Sequence, residues 1–138
     1  MYVGDRSGTI FRVRDGQATA FAALPSRVAA FHLAMSPEGE LFVSAPTLGS
    51  YDYVYRIDRR GKVQTLGVPM GRPQGLAFSS DGALHVIDAL AGSSGLFKVP
   101  LDGSRPELVV AGGQLVGVAF GPDGELAVCS NDTAYRFP

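Results

Sequence analysis

A glycine preceded by a polar residue recurs along this chain every 21 to 23 residues, at Gly16, Gly39, Gly61, Gly82, Gly103 and Gly124. Around three of them the same phrase is written out, as SPEGELFVSA (36–45), SSDGALHVID (79–88) and GPDGELAVCS (121–130). Ser or Pro followed by Asp-Gly or Glu-Gly suits a type I turn closed by a left-handed residue, a conformation that only glycine adopts at little cost. After each turn, apolar and polar residues alternate as in a strand. The period is therefore that of a hairpin, and it limits the chain to folds assembled from many copies of one.

Two hairpins make the larger unit. HLAMSPEG begins at His32, GLAFSSDG at Gly75 and GVAFGPDG at Gly117, while IFRVRDG, VYRIDRRG, LFKVPLDG and a final AYRFP recur between them. Each unit reads as four strands, a to d from the inside outward, and no stretch carries a helical period with caps. Short, evenly spaced strands in a unit of forty-odd residues describe the blades of a β-propeller. The predicted fold is all-β, a partial propeller of three to three and a half blades within a single domain over 1–138. Its parts are a partial blade over 1–24, full blades over 32–66 and 75–111, and a partial blade over 117–138.

Such an arc does not close. Its blade faces are apolar on both sides, so the two end blades present uncovered flanks and unpaired edges. Completion by a second copy or by a longer parent chain is expected, and a symmetric homodimer is the economical solution.

Bulk properties remove several function classes. Twelve Lys and Arg against thirteen Asp and Glu leave a formal charge of −1, with no basic stripe, so a nucleic-acid partner is not expected. No apolar run reaches membrane-spanning length, and the opening MYVGDRSG lacks the basic and apolar regions of a signal peptide. The single cysteine, Cys129, excludes an intrachain disulfide, and the compartment is not legible. GSSG (92–95) is too short for a nucleophile elbow, and AGGQLVG has neither the spacing nor the helix of a phosphate loop.

The stretches RPQGLAFSSDGALHVIDALAGSSGLFKVPLDG (72–103), HLAMSPEGELFVSAPTLGSYDYVYRIDRRG (32–61) and MYVGDRSGTIFRV (1–13) resemble the six-bladed propellers of the senescence-marker-protein/gluconolactonase and strictosidine-synthase-like group, relatives of NHL-repeat proteins. The resemblance covers almost the whole chain and implies the fold more strongly than an activity. In lactonase members a divalent metal sits in the central channel, held in part by Asn or Asp just before the glycine of strand a. The matching positions here are Phe31, Gln74 and Val116, of which only Gln74 is polar. The glutamate that those members take from the first blade's inner strand has no counterpart. No metal ligand and no cofactor are therefore assigned, the alternative being a divalent cation such as calcium or zinc.

Residues that repeat at one blade position are read as scaffold. Asp5 and Asp88 end strand b, where an aspartate caps the next loop. His85 takes a slot filled elsewhere by Tyr2, Phe42 and Ala127, and reads as a packed histidine. Phe11, Tyr55, Phe97 and Tyr135 read as packing between blades, and Cys129 as a small buried hydrophobe. His32 breaks the pattern, standing where the other units have Gly75 and Gly117, and so puts a titratable ring at the channel mouth.

Because strands alternate in direction, the b–c and d–a connections share one rim. That rim holds the irregular segments at 24–31, 45–53, 67–74, 89–95 and 130–133. Variable loops on a rigid scaffold are where binding usually resides. The candidate ligand-binding set is His32, Tyr51, Asp52, Arg72, Gln74, Asp88 and Asn131, with no catalytic residue assigned. Asp52 and Asp88 share the rim and form a possible carboxylate pair. The expected function is a non-catalytic module that binds a small ligand or a protein through this rim. The alternative is a metal-dependent, gluconolactonase-like hydrolase with His32 or an aspartate as general base. A third reading is a purely structural piece without activity of its own.

Overall fold

A computed structural model describes residues 1–25, 28–90 and 93–138. The expected loop segments at 24–31 and 89–95 therefore lie in part outside the described residues. Among the described residues there are fourteen strands and no helix. They form four antiparallel sheets of three, four, four and three strands, each in simple chain order. The first sheet holds β1 (Tyr2–Gly4), β2 (Thr9–Arg14) and β3 (Gln17–Ala23). The second holds β4 (His32–Met35), β5 (Leu41–Ser44), β6 (Asp52–Ile57) and β7 (Val63–Met70). The third holds β8 (Pro73–Phe78), β9 (Leu84–Asp88), β10 (Gly95–Val99) and β11 (Glu107–Ala111). The fourth holds β12 (Gly117–Phe120), β13 (Leu126–Cys129) and β14 (Ala134–Phe137). This is a partial β-propeller. β7 runs on to Met70, past the expected blade edge at 66, and β8 starts at Pro73, ahead of 75.

All six periodic glycines have positive φ, from +74° at Gly16 to +87° at Gly61. Four turns use one hydrogen-bond pattern. In the second sheet the Gly39 amide donates to the Ser36 carbonyl at 2.9 Å and the Ser36 amide to the Glu40 carbonyl at 2.8 Å. Ser79–Gly82–Ala83, Gly121–Gly124–Glu125 and Asp58–Gly61–Lys62 repeat it. The hairpin at Gly16 differs from the expected type I turn. Arg14 pairs directly with Gln17, and Asp15 and Gly16 both take positive φ, which is the two-residue type I′ connection favoured by Asp-Gly.

Alternation along the strands produces the stacking. From the second sheet, Leu41, Val43, Tyr55 and Ile57 pack toward the first, against Ile10, Leu24 and Ala30. Its opposite face sends Phe42 and Val54 against Leu76, Leu84, Val86 and Val99 of the third. Ile87 and Leu96 of the third then meet Val118, Leu126 and Val128 of the fourth. β5 and β9, central in the two inner sheets, are buried at every residue, whereas β14 is exposed throughout.

The two outer flanks differ in character. Val3, at the position held by buried Val43 and Val86, faces away from the second sheet and is 43% exposed. On the fourth sheet the alternation turns Gly117, Ala119, Ala127 and Cys129 outward, a shallow face of small side chains. Cys129 is accordingly half-buried rather than a buried hydrophobe, because its face is the uncovered flank. The aromatic series divides according to what covers each ring: Phe11 shares the face of Val3 on the uncovered flank, whereas Tyr135 shares the inward face of Val128 but lies on the exposed edge strand β14. Tyr55 is buried and Phe97 packs on the core, but Phe11 is only half-buried and Tyr135 is 48% exposed. His85 is buried, its ring set edge-on to Phe120 with centroids 4.9 Å apart.

Candidate functional site

The rim loops are held by aspartates at the ends of strands. Asp5, just after β1, accepts from the Ser7 amide at 2.9 Å, the Ser7 hydroxyl at 2.6 Å and the Thr9 amide at 3.1 Å. These bonds, the Ser7 hydroxyl foremost, hold its carboxyl below the usual aspartate range. Asp88 is buried and accepts from three amides: Gly71 at 2.9 Å, Arg72 at 2.6 Å and Leu90 at 3.1 Å. Asp52 is buried too, and takes the Thr47 amide at 2.9 Å and the Thr47 hydroxyl at 2.7 Å. Asp52 and Asp88 thus each clamp a separate loop, with their carboxylates engaged by the scaffold.

At the channel mouth, His32 opens β4 and pairs with Ser44 across the sheet. The Ser44 hydroxyl donates to the backbone carbonyl of Gln74 in the neighbouring blade. Both His32 and Gln74 are half-buried. Burial pushes the His32 imidazole below the ordinary histidine value, and hydrogen bonding with the Gln74 side chain partly offsets this. Where His32 stands, the next two blades have glycine. A Cβ on Gly75 would lie 2.7 Å from the Val116 carbonyl oxygen, and one on Gly117 would lie 2.7 Å from the Cys129 sulfur. The inner strands of the third and fourth blades approach backbone to backbone, the Gly75 amide donating to the Val116 carbonyl at 2.9 Å.

Above the mouth, loops from three blades enclose a cleft of about 580 Å³. Arg6 comes from the first b–c loop, Phe31 from the d–a segment before β4, Thr47, Leu48 and Gly49 from the second b–c loop, and Arg72 from the segment before β8. Of the expected site residues, Arg72 is in this cleft, while His32 and Gln74 lie at the inner strands beneath the rim. Tyr51 is 68% exposed and stands outside the cleft lining. Asn131 is exposed in the β13–β14 turn of the fourth sheet, away from these loops. Arg6, Thr47 and Leu48 were not singled out from the sequence. Asp5 already placed a b–c loop at residues 5–8, so the recurrence of that aspartate was the available signal for Arg6.

No group of three or more His, Cys, Asp or Glu among the described residues is placed to hold a metal ion. The divalent cation that the lactonase resemblance implies finds no such ligand set within the described residues of this chain, since Phe31 and Val116 offer no side-chain donor and Gln74 offers only an amide.

No protein-family model matches the chain, and no curated protein matches it. Solved structures do. A calcium-binding protein, regucalcin, from Agrobacterium tumefaciens aligns at a TM-score of 0.76 with 20% identity, over 99% of this chain and 52% of its own. A gluconolactonase from Xanthomonas campestris aligns at 0.73 with 23% identity, over 96% and 52%. Virginiamycin B lyase from Staphylococcus aureus aligns at 0.71 with 15% identity, over 96% and 49%. The chain has the propeller fold of this structural group. It spans about half the length of the structures it matches, and at these identities the likeness is one of fold.

Proposed function

We propose that this partial propeller is a binding module whose irregular rim takes up a small ligand or a protein segment, without chemistry of its own. The observation that carries the reading is the cleft of about 580 Å³, built from loops of three blades on one rim. Its size suits a small-molecule site. Four turns of the opposite rim share one hydrogen-bond pattern, whereas these loops differ from blade to blade. Screening a fragment and peptide library by amide NMR tests the idea. Shifts clustered at residues 5–8, 45–53 and 67–74 are expected, and shifts confined to the glycine turns overturn it.

The propeller likeness to gluconolactonases supports a second reading, lactone hydrolysis with a divalent cation. Lactone turnover measured with added calcium, zinc and manganese decides it, and turnover abolished by a chelator replaces the first reading with the second.

We also propose that a second copy covers the open flanks. Bulky Val3 and Phe11 on one flank and Gly117, Ala119 and Ala127 on the other are complementary in size, and the same positions stack blade on blade within the chain. A monodisperse dimer in sedimentation is the expected result for the 138-residue chain.

A further inference from the structure

With the rim as the proposed binding face, we infer that its cleft selects an organic anion, a carboxylate or phosphate head carried on an apolar body, with Arg6 and Arg72 on the head and Phe31 and Leu48 on the body. Both arginines are exposed and line one concavity, although they come from loops of different blades. Among the described residues neither forms an ion pair; the two pairs present are Arg56–Glu40 and Arg136–Glu125, both far from this rim in the fold. Among the described residues, no acidic one lines the cleft. The nearest carboxylates along the chain, Asp5 beside Arg6 and Asp52 and Asp88 in the same loops, spend their oxygens on Ser7, Thr9, Thr47, Gly71, Arg72 and Leu90.

Among the described residues, the only formal charges on the lining of this pocket are two guanidinium groups. Walls of low dielectric concentrate that field, and a guanidinium meets a carboxylate or phosphate through two parallel hydrogen bonds. Phe31 is 51% exposed and Leu48 is fully exposed on the same lining, so the cleft also offers apolar surface that a ligand can cover. Neither half of the site explains the other: a bare inorganic anion leaves Phe31 and Leu48 wet, and a neutral hydrocarbon leaves the arginines without counter-charge.

The test uses phenylacetate and phenyl phosphate against neutral phenylacetamide, each titrated into the intact chain and followed by amide NMR. The two anions are expected to move the amides of Arg6, Thr47, Leu48, Gly49 and Arg72, to bind about tenfold more tightly than the amide, and to weaken in high salt. In the Arg6→Gln/Arg72→Gln double variant the preference for the anions disappears while the sheet amides keep their positions, and each single variant shows part of the loss. Equal binding of phenylacetate and phenylacetamide at the rim overturns the anion selectivity and leaves the rim-binding reading in place. Anion-induced shifts elsewhere, or none at all, overturn the inference, and the rim reading then stands or falls on the fragment and peptide screen. Inorganic phosphate binding as well as phenyl phosphate overturns the role given to Phe31 and Leu48.

Discussion

The Asp88 carboxylate, at the end of β9, lies 2.6 Å from the backbone amide of Arg72 and so joins the third blade's b–c connection to the segment that enters its inner strand. A single side chain thereby sets where the Arg72 loop sits relative to the mouth. Replacing it leaves three amides, those of Gly71, Arg72 and Leu90, without their acceptor. Asp88→Ala is expected to lower unfolding stability by about 2–3 kcal/mol, since hydrogen bonds to a charged group are the strong ones. Asp88→Asn, which keeps one oxygen, costs less. Urea unfolding of both variants checks the order; a loss in Asp88→Ala no larger than in an exposed control substitution contradicts it.

Two glycines test two different reasons for glycine. Gly82 has φ +80° and open space around it, the nearest atom to an added Cβ being Pro37 Cγ at 3.7 Å. Gly82→Ala therefore costs only the left-handed backbone, about 1–2 kcal/mol. At Gly75 the obstacle is another blade, with the Val116 oxygen 2.7 Å and the Gly117 Cα 2.9 Å from the added carbon. Gly75→Ala is expected to exceed Gly82→Ala and to reach about 2–3 kcal/mol, because backbone must move. The reverse order in calorimetry contradicts the close approach of the third and fourth blades.

Both histidines are held below their ordinary value of 6.5, in each case chiefly by burial. A base whose folded value is depressed favours its neutral form in the fold. The contribution to stability is thus complete above the unfolded value and is lost as pH falls through 6.5 toward the folded values. Urea midpoints are expected to hold steady on the alkaline side of neutrality and to decline in mild acid. His32→Gln combined with His85→Phe should flatten that decline. A second fall belongs near the aspartate range of 3.8, where Asp5 and Asp81 lose bonds that favour their charged forms. Midpoints that rise between neutrality and mild acid contradict the assignment.

Charge on a flank should break the proposed pairing without touching the interior. Ala127→Glu sets a carboxylate on the small-residue face of the fourth sheet, and Val3→Asp sets one on the opposite flank. Each is expected to convert the dimer to monomer in sedimentation, with unchanged strand content by circular dichroism. A dimer that survives both substitutions places the contact elsewhere.

The strand frame was legible because turn chemistry is local. A left-handed glycine declares itself by the residues around it, and six of them, evenly spaced, set the phase of all fourteen strands. The cleft was legible only in outline. The rim could be assigned from strand direction, yet which loop residues converge depends on where each clamp holds its loop. Asp88 illustrates the difficulty: the sequence marks it equally well as a cap and as a rim residue, and only the positions of the Gly71 and Arg72 amides decide where its oxygens go. Likewise Tyr55 and Tyr135 occupy the same place in their repeats, but only Tyr55 is buried, because β7 flanks its strand whereas β14 is the edge of its sheet.

Asp5 draws its side-chain bonds from residues no further away than Thr9, and Asp52 draws its own from Thr47. Each of those connections is therefore moored at its base by its own blade. Side chains at the tips that take no part in these bonds, such as Arg6 and Leu48, can be exchanged with the moorings kept, so new specificities can be tried on this rim while the stack beneath stays as it is.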